Sequence, residues 1–216
     1  MTEPLENGAV IGILGGGQLG RMLCVAAARL GFRSHVFEPG ANPPAGQVAN
    51  QITTAAYEDR NALAAFAKSV DVITYEFENI PTQALDILEQ QRPIHPGRDV
   101  LRISQDRLTE KSFLHTLGLR TAPFADIVDV ADLKEAIEKI GTPAILKTRR
   151  FGYDGKGQAR IGRPEDAARA LKTMAGAPAL LEGFVDFSHE ISVIAARGRT
   201  GDVACFDPGE NIHRNG

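Results

Sequence analysis

Short apolar runs alternate with longer amphipathic segments through most of this chain, and few folds besides a mostly parallel α/β sheet satisfy that alternation. Residues 9–14 read as an apolar strand. Residues 18–30 carry helical spacing at Leu19, Met22, Leu23, Ala26 and Leu30, with Gly31 as the stop. A second strand is predicted at 34–37, a loop at 41–46, a helix at 59–68 and a third buried strand at 70–75. A helix over 81–91 follows, with Pro81 in its first turn. Residues 8–100 are therefore expected to form a doubly wound, Rossmann-like parallel-sheet domain. The polar residues 1–7 are expected to be a disordered arm.

The pattern changes after His95-Pro96-Gly97. A helix is predicted at 106–117, then a strand at 124–128, a helix at 129–140 and strands at 144–147 and 158–161. A helix at 164–174 opens on Pro164, and strands are predicted at 179–182, 190–195 and 203–206. Residues 207–216 read as a polar loop. Residues 101–216 thus have α+β character with antiparallel hairpins, and the sequence reads as cut inside this second domain.

Composition narrows the function. With 24 Lys+Arg against 27 Asp+Glu there is no basic excess to grip nucleic acid. No apolar run reaches the ~20 residues of a membrane span. The acidic start lacks the features of a signal peptide, so a cytoplasmic location is expected. Cys24 and Cys205 lie in apolar stretches and are expected to be buried thiols.

Five stretches carry chemistry. Gly15-Gly16-Gly17-Gln18-Leu19-Gly20 joins a strand to a helix, where backbone N–H groups can face an anion. Glu38 ends the next strand, where a nicotinamide-binding fold places its ribose-binding acid. Glu76, Glu78 and Asn79 follow the third strand, at the end where open α/β sheets bind ligands. Lys147 closes a buried strand, a costly place for an ammonium without an anion. The loop after it holds Gly152, Gly155 and Gly157, with Lys156 at its tip, so its backbone can approach phosphate oxygens. Finally, Leu180-Leu181-Glu182-Gly183-Phe184-Val185 and then Glu190 suit an apolar slot for adenine edged by carboxylates. In Glu210-Asn211-Ile212-His213-Arg214-Asn215 the two readings are an anion faced by His213 and Arg214 and a solvated tail.

Together these pieces resemble the ATP-grasp superfamily. Within it, GGGQLGRML (15–23), YEFEN (75–79), QDRLTEK (105–111), FGYDGKGQ (151–158) and ENIHRNG (210–216) resemble the 5-(carboxyamino)imidazole ribonucleotide synthase family. The resemblance implies a pre-ATP-grasp domain followed by a truncated ATP-grasp domain. It implies an ADP-forming carbon–nitrogen ligase that carboxylates the amine of 5-aminoimidazole ribonucleotide with bicarbonate and ATP, through carboxyphosphate. Arg107, Lys147, Gly152, Tyr153, Asp154, Gly155, Lys156, Gly157 and Gln158 would hold the phosphates. Glu182, Gly183, Phe184, Val185, Glu190 and His213 would hold adenosine. Gln18, Leu19 and Glu76 would meet the ribonucleotide, and Lys147, Tyr153 and Asp154 would act in catalysis. The family also implies a homodimer and Mg²⁺, whose acidic ligands are expected beyond Gly216, with none in this chain; the chain by itself is then expected to be inactive. The rival readings are a formate-dependent glycinamide ribonucleotide transformylase, a nicotinamide-dependent oxidoreductase and a non-catalytic ATP-binding module.

Overall fold

The computed structural model describes residues 4–152, 156–198 and 200–212. The chain divides into two units, Met1–Phe113 and Leu114–Gly216.

In the first unit the elements run β1 (Val10–Leu14), α1 (Gln18–Arg29), β2 (Arg33–Phe37), β3 (Gln51–Thr53), α2 (Arg60–Lys68), β4 (Val72–Tyr75), α3 (Thr82–Leu88) and α4 (Arg98–Ser104), and α5 (Arg107–Thr116) spans the boundary between the units. The four strands form a parallel sheet in the order β3-β2-β1-β4. Alternate residues of a strand face opposite sides, and here both sides are covered. Leu14, Phe37 and Ile73 join Leu63, Phe66, Ala84 and Leu85 in one core. Ile13 and Val36 meet Cys24 and Ala45 on the other. That two-sided packing is the doubly wound arrangement. α1 buries Gly20, Cys24 and Ala27, one stripe at helical spacing. Asp59 starts α2 by accepting the N–H groups of Asn61 and Ala62, each at 3.0 Å.

In the second unit the order is β5 (Phe124–Ile127), α6 (Val130–Ile140), β6 (Ala144–Thr148), β7 (Gln158–Ile161), α7 (Ala167–Thr173), β8 (Ala179–Gly183), β9 (Glu190–Ser192), β10 (Ala195–Arg197), β11 (Val203–Cys205) and β12 (Gly209–Asn211). β5-β8-β6-β7 is an antiparallel sheet. One of its faces supplies Ile127, Ala144, Leu146, Ile161, Ala179 and Leu181 to a core with Leu133, Ala136 and Ile137 of α6 and Ala167 and Ala170 of α7. β9 pairs with β12 and β10 with β11, as two separate antiparallel ribbons.

Several expectations need correction. β3 and α4 fall where no element was predicted. The loop expected at 41–46 ends in a turn of 3-10 helix, Pro44–Gln47, and the helix predicted at 164–174 begins as another, Pro164–Asp166. The strand predicted at 190–195 is two strands, because β9 and β10 pair with different partners. Part of the predicted C-terminal loop is β12. Cys24 is buried as expected, but Cys205 is exposed on the β10–β11 ribbon.

Candidate functional site

In the first unit the chain passes outward from β1 through β2 to β3, then returns to β4 on the other side of β1. The reversal opens a crevice at the carboxyl ends of the strands, where such sheets bind ligands. The Gly15–Gly17 turn leaves β1 there, and Glu76 follows β4 directly. Gly15 has φ +98, and a side chain on it would meet Glu76 Cγ at 2.5 Å, so this position takes only glycine.

The turn is closed by two carboxylates. Gly17 N–H donates to Glu76 Oε1 at 2.6 Å and Gly20 N–H to Glu76 Oε2 at 2.5 Å. Gly16 N–H donates to Glu38 Oε2 at 2.7 Å. The N-terminal N–H groups of α1 thus face protein carboxylates, which the helix dipole favours. These are the donors that a dinucleotide pyrophosphate would need, so the geometry speaks against a nicotinamide reading. Gln18 and Leu19, the first residues of α1, are exposed beside this turn. Tyr57 stacks on Phe37 with ring centroids 5.6 Å apart. Burial, then the charges of Glu38 and Glu76, push the pKa of its hydroxyl up, so Tyr57 stays protonated. Glu38, cast as a ribose ligand by its place in the sequence, instead braces the glycine turn.

In the second unit the antiparallel register puts the polar residues on the face away from α6 and α7. Lys147 lies opposite Gln158 on β7 and Leu180 on β8, while Ile145 lies opposite Arg160 and Glu182. Lys147 and Glu182 are therefore diagonal neighbours, with Lys147 Nζ 2.7 Å from Glu182 Oε2. The side chains are 25% and 10% exposed, so the ammonium has the anion that its placement requires. Gly157 sits at φ +68 with its carbonyl accepting the Thr148 N–H at 2.7 Å, which fixes the returning arm of the hairpin. Lys156 is exposed on that arm and Gly152 is half-buried on the other.

Phe184 and Val185 are exposed just past β8. Arg160 stands 5.3 Å from the Phe184 ring centroid, a cation–π contact beside the lysine. Sequence reasoning passed over Arg160, although alternation along β7 (Gln158, then Arg160) places it on the lysine's face. Glu190 is on β9, where Asn211 of β12 donates to its Oε1 at 3.2 Å. Arg107 is half-buried at the start of α5, in the first unit. Tyr153, Asp154, Gly155 and His213 lie outside the described residues. Among the described residues no three His, Cys, Asp or Glu side chains gather to hold a metal ion.

Comparisons with known proteins agree with this geometry. Residues 9–105 match the ribonucleotide synthetase pre-ATP-grasp domain family and residues 112–216 the ATP-grasp domain family. An N5-carboxyaminoimidazole ribonucleotide synthase of Brucella melitensis biotype 1 is 51% identical over 214 residues, which are 98% of this chain and 59% of that protein. The crystal structure of an N5-carboxyaminoimidazole ribonucleotide synthetase in its ADP complex superimposes with a TM-score of 0.94 at 40% identity, over 100% of this chain and 57% of that one. The corresponding enzyme of Aspergillus clavatus, in complex with ADP and 5-aminoimidazole ribonucleotide, gives a TM-score of 0.86 at 28% identity, over 97% and 55% of the two chains. This chain spans less than three-fifths of the length of each of these relatives.

Proposed function

The chain belongs to the N5-carboxyaminoimidazole ribonucleotide synthase family of ATP-grasp ligases, and from that premise we propose that the full-length protein carboxylates 5-aminoimidazole ribonucleotide with ATP and bicarbonate in purine biosynthesis. Bicarbonate oxygen attacks the γ-phosphorus of ATP, giving carboxyphosphate and ADP. The ribonucleotide's amine nitrogen then attacks the carboxyl carbon; the C–N bond forms, the C–O bond to phosphate breaks and the amine loses a proton. The chemistry needs positive charge around the transferring phosphoryl and an active site closed to water.

The observation that carries this reading is Lys147, its ammonium held at 2.7 Å by Glu182 on the face of the sheet away from α6 and α7, beside the glycine hairpin. In this assignment Lys147, Lys156 and the hairpin N–H groups, with Tyr153, Asp154 and Gly155, hold the phosphates, and Arg107 adds a further cation. Phe184, Val185, Glu190 and His213 hold adenosine. Gln18, Leu19 and Glu76 meet the ribonucleotide. Mg²⁺ accompanies ATP as a charge carrier, with ligands outside the described residues. A cytoplasmic homodimer is the expected setting of this activity.

The test is ATP hydrolysis by the full-length protein. It is expected to rise with aminoimidazole ribonucleotide plus bicarbonate, and to be lost in Lys147→Ala. Stimulation by glycinamide ribonucleotide plus formate instead would overturn the substrate assignment, and undiminished turnover in the variant would overturn the role of Lys147.

A further inference from the structure

Glu38 has no part in the site as assigned above, yet both its oxygens are engaged by backbone. Oε2 accepts Gly16 N–H at 2.7 Å and Oε1 accepts Gly40 N–H at 2.8 Å. Its own N–H donates to Thr53 O at 3.0 Å, which ties the residue to β3. The contact with the turn is tight as well, since a Cβ built on Gly16 would fall 2.8 Å from Glu38 Cγ. The Gly15–Gly17 turn is therefore gripped from two strand ends at once, by Glu38 beyond β2 and by Glu76 beyond β4. The two grips are not equivalent. Glu76 holds Gly17 and Gly20, within and beside the first turn of α1, whereas Glu38 holds Gly16, where the chain leaves the sheet.

Gln18 and Leu19 follow Gly16 by two and three residues, and where they point depends on the backbone at Gly16 and Gly17. We propose that Glu38 is a positioning residue for the ribonucleotide site, fixing the turn from which Gln18 and Leu19 project while making no contact with substrate itself. The proposal rests on the assignment of that turn to 5-aminoimidazole ribonucleotide. It also accounts for a carboxylate in the place where a nicotinamide-binding fold would use one on ribose: here the acid serves the protein's own loop.

The experiment uses the full-length protein, with steady-state kinetics and calorimetric titration of 5-aminoimidazole ribonucleotide. Glu38→Ala is expected to raise KM for the ribonucleotide about tenfold, the effect of losing one charge-assisted hydrogen bond that orders a loop. KM for ATP should be unchanged. Glu38→Gln keeps one acceptor oxygen and should recover part of the loss, and it serves as the comparison should the alanine variant fail to fold. A split confined to the ribonucleotide supports positioning, because a general loss of structure would move both KM values. Wild-type affinity in the variants overturns the proposal alone, as does an equal loss for both substrates. Absence of ribonucleotide binding by the wild-type protein overturns the substrate assignment, and this proposal falls with it.

Discussion

His35 shows how a single buried side chain can make the first unit sensitive to pH. It is only 6% exposed, with Nδ1 2.8 Å from Ser69 Oγ and Nε2 2.8 Å from Thr53 Oγ1. Ser69 spends its one hydroxyl hydrogen on Phe66 O at 2.7 Å. Its oxygen must therefore accept from His35, which places the proton on Nδ1 and leaves Nε2 to accept from Thr53. Burial lowers the pKa of the imidazole. The unfolded chain then binds a proton more readily than the folded one, so stability is full above the ordinary histidine value of about 6.5 and declines as pH falls below it. Urea titrations between about pH 7.5 and 5.5 should show this decline, and His35→Gln should flatten it; equal slopes in the two proteins would exclude His35 as the cause. Gly157 makes a second test. With φ +68 and a built Cβ only 2.5 Å from Thr148 Oγ1, Gly157→Ala meets both strain and a clash. A loss of about 1–3 kcal/mol is expected, read from denaturant midpoints; a neutral substitution would show that the hairpin adapts. The sequence told of Lys147 and Glu76 because a charged residue at a strand end is chemically conspicuous. It offered Glu38 a role only on the rival nicotinamide reading, since one acid at that position serves a ribose or a loop equally well and only the hydrogen bonds to Gly16 and Gly40 distinguish them.

Elements form here where local signals and burial agree. α6 is the clearest case: Asp129 accepts the N–H groups of Ala131 and Asp132 at 2.7 and 2.9 Å, and Asp132 returns the bond by accepting Asp129 N–H at 3.2 Å. That reciprocal cap precedes a buried stripe of Leu133, Ala136 and Ile137. Asp129→Ala should therefore cost about 1 kcal/mol, within a range of about 0.5–2, measured as a drop in the denaturation midpoint of the second unit. A drop no larger than that of a control alanine substitution on the exposed face of α6 would refute the cap's contribution. The same agreement made β1, α1, β2, α2, β6 and β7 legible from sequence alone. β3 was not, because it is three residues long with Gln51 and Thr53 at its ends, and its place comes from the partner β2. α4 buries only Leu101 and follows Pro96-Gly97, which reads as a turn. The break between β9 and β10 was hidden because Ile191, Val193 and Ile194 make residues 190–195 read as one run with no Gly or Pro to divide it. Only their pairing with β12 and β11, distant in sequence, divides them.

At the scale of the whole chain the two units contrast in how their apolar surface is used. The first packs a separate apolar cluster on each face of its parallel sheet, and the second packs its main cluster on one face of its four-stranded sheet. The β9–β12 and β10–β11 ribbons do not follow that rule. Two-stranded ribbons are marginal on their own and gain stability by packing an apolar face against something else. Here Ile191, Val193, Ile194, Val203, Phe206 and Ile212 are between 51% and 75% exposed. Apolar side chains gathered in one short stretch of chain at such exposure mark a surface suited to burial against further protein. Cys205 belongs to this group: it lies in an apolar stretch of sequence and is nonetheless exposed on its ribbon. The 216-residue chain should therefore bind a solvatochromic dye such as anilinonaphthalene sulfonate in native buffer. Ile194→Ser combined with Phe206→Ser should reduce that signal while leaving the urea midpoint of the first unit unchanged. Dye fluorescence equal to that of a well-covered globular control would show that these side chains are already shielded in solution, and the same signal in the double variant would place the bound dye elsewhere.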